Sequence, residues 1–198
     1  MEAFESFVAI ALESEGFVVS GAVKFPVTRQ VRKPQRVEVQ THGFEVDLVA
    51  ANAERLVLAS VKSFFGSRGV VAEHVTGASA DANARLYALL NDEDVRSQVL
   101  ARACERYGYR LEQVEARLYV GRFAAPTKGV DEQRIRDWAA ETKIGGGPVK
   151  VIGSSEVVSN VRAVAAHKQY RDNAVLVTMK VLEAAGQLTV ELPDDSEQ

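Results

Sequence analysis

Cysteine is almost missing from this chain: Cys104 is the only one in 198 residues. No internal disulfide can form, so the fold rests on its core. At this length roughly 70% of the unfolded surface can be buried, which is enough. A lone cysteine on a helical stretch reads as a small buried apolar residue, and it fits a reducing, cytoplasmic setting. Histidine is scarce too. His42, His74 and His167 lack metal-ligand spacing and have no cysteine beside them, which argues against a zinc module. No apolar run reaches the roughly 18 residues of a membrane helix; Ala174 to Ala185 is broken by Lys180 and Glu183. The opening Met1-Glu2-Ala3-Phe4-Glu5 has no basic region, so no secretory signal is expected. Gly145-Gly146-Gly147 lacks the Lys and Ser/Thr of a P-loop and precedes a strand instead of following one. It reads as a helix stop and linker. No serine, histidine and acid share a recognisable hydrolase context.

What is present is the balance of an ordinary globular domain, 46% hydrophobic and 26% charged. The net charge of −3 speaks against a surface that binds nucleic acid everywhere, but the charge is segregated. Lys24, Arg29, Arg32, Lys33 and Arg36 fall in one stretch without an acid, while Glu191, Asp194, Asp195 and Glu197 form a tail without a base. The reading is one domain over residues 1–190 and an acidic tail over 191–198.

Along the chain, Phe4, Phe7, Val8, Ala11 and Leu12 recur at helical spacing from Glu2 to a stop at Gly16. Phe17 to Phe25 reads as a strand, and Pro26 and Pro34 suit an edge strand or hairpin arm. Phe44 to Ala50 and Leu56 to Lys62 are predicted strands joined by the turn Asn52-Ala53-Glu54. Helices are predicted over Ala80 to Leu90 and Asp92 to Tyr107, then a strand from Val114 to Phe123 and a helix from Asp131 to Thr142, with Trp138 in the core. A short strand, Val149 to Ile152, leads to a helix start at Ser154-Ser155-Glu156 and helical structure to Ala185. This order predicts an α/β fold with a central mixed sheet flanked by helices.

The chemistry concentrates on the two strands from Phe44 to Lys62. Residues two apart share a strand face, so Glu45 and Asp47 are expected on one face, opposite Phe44, Val46 and Leu48; Ser60 and Lys62 pair likewise. If the polar faces meet, an Asp, a Lys and a Glu converge beside an apolar sheet, where ions need a partner or a metal. A carboxylate that can hold a hard divalent cation, next to a Lys, suits phosphodiester hydrolysis. A half-exposed ion pair with no further role fits the same spacing.

This segment resembles the core of the PD-(D/E)xK nuclease superfamily, with a layout similar to Holliday-junction resolvases and Mrr-like restriction enzymes. The pattern is a glutamate on the first helix (Glu5), a strand carrying the motif Asp (Asp47), a turn, and a strand ending in acid-x-Lys, here Ser60-Val61-Lys62. The resemblance implies a restriction-endonuclease-like core and a Mg²⁺- or Mn²⁺-dependent DNA endonuclease, with a homodimer as the economical way to cut both strands. It implies Asp47 as metal ligand with Glu5 or Glu45, Lys62 positioning the attacking water, and Ser60 and Ser63 as hydrogen-bonding hydroxyls. The basic residues Lys24, Arg29, Arg32, Lys33 and Arg36, with Arg68 in the Gly66-Ser67-Arg68-Gly69 loop, are the expected DNA contacts; Lys168, Tyr170 and Arg171 are further candidates. Ser60 departs from the pattern, because a hydroxyl ligates a hard cation poorly. An inactive member that binds nucleic acid, or a subunit of a defence or repair complex, is the alternative. A globular protein with no nucleic-acid role is a third.

Overall fold

The computed structural model describes residues 2–33, 36–125, 130–167 and 172–188. The side chains of Arg32, Lys33 and Arg36, together with Lys168, Tyr170, Arg171 and the acidic tail, lie outside the described residues. Helix α1 (Ala3–Ser14) buries Phe4, Val8, Ala11 and Leu12. The Glu5 carboxylate accepts the Glu2 N–H at 2.9 Å, satisfying one of the donors that a helix start leaves open. Gly16, at φ +84°, ends it with a conformation glycine adopts at low cost. Three antiparallel strands follow: β1 (Val18–Lys33), β2 (Arg36–Ala51) and β3 (Leu56–Lys62). Asn52 builds the β2–β3 turn, its side-chain oxygen accepting the N–H groups of Glu54 and Arg55.

The chain then crosses through α2 (Ala72–Thr76), a 3₁₀ segment (Ala82–Tyr87), α3 (Ala88–Asn91) and α4 (Glu93–Tyr107) to β4 (Val114–Val120), which pairs parallel to β3. Helix α5 (Val130–Glu141), the small hairpin β5 (Lys143–Ile144) and β6 (Gly147–Pro148), and β7 (Lys150–Gly153) follow, β7 pairing parallel to β4. Helices α6 (Ser154–Ala166) and α7 (Ala174–Ala184) close the described chain. The main sheet runs β1-β2-β3-β4-β7, so the fold is α/β around a mixed sheet. Among the described residues no helix is long and apolar enough to cross a membrane.

Both faces of the sheet are covered. On one, Leu48, Val57, Ala59 and Val61 pack with Val8 and Leu12 of α1, Val157 and Val161 of α6, and Met179 of α7. On the other, Leu56, Leu58, Val114 and Leu118 meet Val75, Leu89, Val99 and Ile135. Strand β3 is consequently buried from Leu56 to Val61, which explains its near-continuous apolar sequence. Each fully buried Leu or Val there contributes about 1.5–3 kcal/mol.

The long β1–β2 ribbon changes faces midway. Val19 packs on the α1 side, yet Val23, Phe25 and Val27, of the same parity, pack on the other. On β2, Val46 and Leu48 divide in the same way, so Phe44, Val46 and Leu48 do not share the face that simple alternation assigns them. The register passes from Gly21↔Leu48 to Val23↔Val46, skipping Ala22 and Asp47. Ala22 sits at φ +53°, a strained conformation for a residue with a Cβ. The paired irregularity slips the alternation on both strands while the register is kept.

Two other expectations are corrected. Ala80 to Leu90 is not one helix but a 3₁₀ segment running into the short α3. Asp81 accepts the Asn83 N–H, and Asn91 Nδ2 donates to the carbonyls of His74 and Ala84; such side-chain bonds compete with regular helix. Gly145 to Gly147 is the tight β5–β6 hairpin instead of a linker. Gly146 N–H donates to the Val114 carbonyl at 2.8 Å, and a Cβ on Gly146 would fall 1.9 Å from the Glu112 carbonyl oxygen.

Candidate functional site

Pairing between β2 and β3 stops at Leu48↔Ala59. One residue further along β2, at the face switch, Asp47 replaces the missing strand partner. Its Oδ2 accepts the Val61 N–H at 2.6 Å, the Lys62 ammonium at 3.0 Å and the Ser60 hydroxyl at 3.4 Å. Three donors converge on one carboxylate oxygen, and charge-assisted bonds of this kind are the strong ones. The pair is sheltered: the Asp47 side chain is 22% exposed and that of Lys62 15%, while Ser60 is 6% exposed.

The surroundings fix this end of β3. The Lys62 carbonyl accepts the Gly121 N–H at 2.8 Å, and Phe64 turns the chain away at φ +43°. Ser63 donates its hydroxyl to Glu2 Oε2 at 3.2 Å, tying the strand end to the start of α1. Lys62, Val120 and Gly153 are paired neighbours at the carboxyl ends of three parallel strands, the crevice where open α/β sheets commonly hold ligands.

Asp47, Ser60 and Lys62 are thus brought together. Glu45 is exposed and reaches Lys24 across the ribbon at 3.6 Å, and Glu5 is engaged at its own helix start. Among the described residues, no group of three or more His, Cys, Asp or Glu side chains is placed to hold a metal ion. Of the three residues that converge, Asp47 alone is a carboxylate, and its three bonds all fall on Oδ2. Mg²⁺ is often held by one or two carboxylates, with water and substrate phosphate completing its shell, a mode with which a single carboxylate is compatible.

The expected DNA contacts divide. Arg29 forms an ion pair with Asp92, which also caps α4 by accepting the Val95 N–H. Lys24 pairs with Glu45, and Arg68 is exposed in the loop after β3. Of the histidines, His42 is exposed and bonded to Gln40, and His74 faces Asp81 at 3.6 Å. A cavity of about 630 Å³ lies between the ribbon and the 77–92 segment, lined by Arg29, His42, Phe44, Arg85, Asn91 and Asp92.

A second polar cluster was missed by the sequence reading. Arg117 of β4, 4% exposed, binds Glu15, just past the end of α1, through Nη1 at 2.8 and 2.9 Å and Glu115 through Nη2 at 3.1 Å. Arg55 and Lys150 also reach Glu115, at 2.8 and 2.9 Å, and Phe17 packs against the guanidinium groups of Arg55 and Arg117. Burial alone would raise the Glu115 pKa; hydrogen bonds from Lys150 and Arg55 and the Arg117 charge overcome it and hold the carboxyl at about 2. Burial pushes the Tyr119 hydroxyl up. The signal was in the sequence, since Glu115, Arg117 and Tyr119 share one face of an otherwise apolar strand. No family model, curated protein or solved structure matches this chain.

Proposed function

We propose that the chain is a metal-dependent DNA endonuclease of the PD-(D/E)xK type, hydrolysing phosphodiester bonds at Asp47 and Lys62. The observation that supports this most is the 3.0 Å approach of Lys62 Nζ to Asp47 where the pairing of β2 with β3 ends, the convergence that the motif resemblance requires. In this reading Asp47 would hold the Mg²⁺ or Mn²⁺ ion, a cation that proteins often bind through one or two carboxylates. The metal supplies charge stabilisation on the phosphate and a more acidic water. Lys62, fixed by Asp47, places a positive charge where the scissile phosphate gains negative charge. The ribbon contributes further positive charge along the DNA backbone through Lys24, Arg32, Lys33 and Arg36, with Arg68 at the loop. The protein is proposed to act in the cytoplasm.

A specific observation favours a second reading, a catalytically silent DNA-binding member. Ser60 stands where an acid is expected, and Glu45 and Glu5 have other partners. The test is cleavage of supercoiled, linear, single-stranded and branched DNA with Mg²⁺ or Mn²⁺, beside Asp47→Asn and Lys62→Ala. Metal-dependent cutting lost in both variants supports the nuclease. Salt-sensitive binding without cutting supports the silent member, and neither cutting nor binding refutes both.

A further inference from the structure

The cavity of about 630 Å³ between the ribbon and the 77–92 segment takes no part in the chemistry proposed above, since Asp47, Ser60 and Lys62 line none of it. Val27 of β1, Phe44 of β2, Ala84 of the 3₁₀ segment and Ala88 of α3 give it apolar walls, and Arg29 and Arg85 also line it. Both walls are held in place. Gln98 of α4 bonds the backbone N–H and carbonyl of Thr28, and the neighbouring Arg29 pairs with Asp92 at the start of α4. Across the cavity, Asn91 Nδ2 bonds the carbonyls of His74 and Ala84 at 2.7 and 2.8 Å. Gly77 ends α2 at φ +77°, where a Cβ would lie 3.2 Å from that of Asn91. Side chains thus dictate the irregular backbone of this wall, and irregular segments on a rigid scaffold are where ligands are commonly met.

The charges of the lining are unequally engaged. Asp92 is taken up by Arg29 and by the Val95 N–H that it caps. Asp81 accepts the backbone N–H and Nδ2 of Asn83 and faces His74 at 3.6 Å. Arg85 is exposed and, among the described residues, its side chain has no hydrogen bond or ion pair. The cavity therefore presents apolar walls and one uncommitted guanidinium. We infer that it binds a small organic anion, a carboxylate or phosphate carried on an aromatic body. The anionic head meets Arg85, and the ring lies against Phe44 and Val27. A guanidinium fork matches either head through two parallel N–H bonds. The volume falls within the roughly 300–1,000 Å³ of small-ligand sites, which combine mainly apolar walls with a few placed polar groups. This site goes beyond the endonuclease reading and does not depend on it.

The test is calorimetric titration, without DNA or metal, of the full chain with 2-naphthoate and 2-naphthyl phosphate. The controls are 2-naphthol, which has the body without the charge, and inorganic phosphate, which has the charge without the body. Wild type is compared with Arg85→Ala, Arg85→Lys and Ala84→Leu, the last filling the cavity from its wall, and thermal melting checks that each variant folds. Wild type is expected to bind one or both naphthyl anions at least about tenfold more tightly than either control, and the tighter of the two identifies the head. Arg85→Ala is expected to weaken that binding about 10- to 100-fold, the worth of a charge-assisted hydrogen bond. Arg85→Lys, which keeps the charge and loses the fork, should weaken it less, and Ala84→Leu should weaken it about tenfold or more. Naphthol binding as tightly as the anions overturns the inference, because the charge is then unread. Inorganic phosphate binding as tightly does so too, because the cavity is then unused. Anion affinity unchanged in Arg85→Ala or Ala84→Leu, or no binding of either anion at millimolar concentration, equally overturns it.

Discussion

Replacing Glu115 by Gln removes the charge of a carboxylate bonded by Arg55, Arg117 and Lys150 while keeping its shape. In the native protein this carboxyl titrates at about 2, against an ordinary 4.5. A depressed carboxyl pKa stabilises the folded state above the unfolded value, and that contribution is lost as pH falls through the folded one. The difference corresponds to about 3 kcal/mol, present in full above roughly pH 5, shrinking between about 4.5 and 2, and gone below. Urea unfolding of wild type and Glu115→Gln at pH 7, 4 and 3 reads this directly. With a slope near 2 kcal/mol per molar urea, the pH 7 midpoints should differ by about 1.5 M, and the gap should narrow steadily towards pH 3. Every other titrating group is common to both proteins, so the difference isolates Glu115. A gap under 1 kcal/mol at pH 7, or one of equal size at pH 7 and pH 3, refutes the reasoning.

Two further outcomes follow from local geometry. Gly146→Ala should destabilise by about 2 kcal/mol or more, because its Cβ would strike the Glu112 carbonyl and backbone must move. Gly147→Ala, with nothing within 4 Å, should change stability by less than about 0.5 kcal/mol; thermal melts that rank the two alike would contradict the close approach. Gln98 of α4 accepts the Thr28 N–H at 2.8 Å and donates to the Thr28 carbonyl at 3.0 Å. Gln98→Ala should speed amide exchange at Thr28 about fivefold, the worth of one hydrogen bond near 1 kcal/mol, and an unchanged rate would mean that the clamp does not hold.

Much of this architecture was legible because its signals are local. Strand β3 was placed at Leu56 to Lys62, as observed, since an apolar run broken only by Ser60 and ending in Lys reflects burial on both faces. Helix α4 was visible from Asp92, which does cap it, and Pro26 marked β1 as the sheet edge that it occupies. The convergence of Asp47, Ser60 and Lys62 was legible as well, though for an incomplete reason. Alternation assigned Leu48 to the face of Val46, and nothing in Ala22 announces a positive φ, so the slip that places Asp47 beside the unpaired end of β3 stayed hidden. The stretch from Ala80 to Leu90 was misread as one helix because its shape follows from the bonds of Asn91 and Asp81, which composition does not reveal. The partners of Arg29 and Glu45 lie on other strands or helices, beyond the reach of a local pattern.

The three-strand meander also bears on the order of folding. Asp47 and Lys62 are close in sequence and joined by a short turn, so their meeting requires closure of only a small loop, and hairpins form in about 1–10 μs. The parallel pairing of β3 with β4 must instead wait for the whole chain from Ser63 to Gln113 to be gathered in, and non-local pairing of this kind is slow. The candidate centre therefore belongs to the part of the molecule that can assemble first, before the second half of the sheet docks against it. Substitutions in β4 or β7 should then lower overall stability while leaving the early meander, and the Asp47–Lys62 pair within it, free to form.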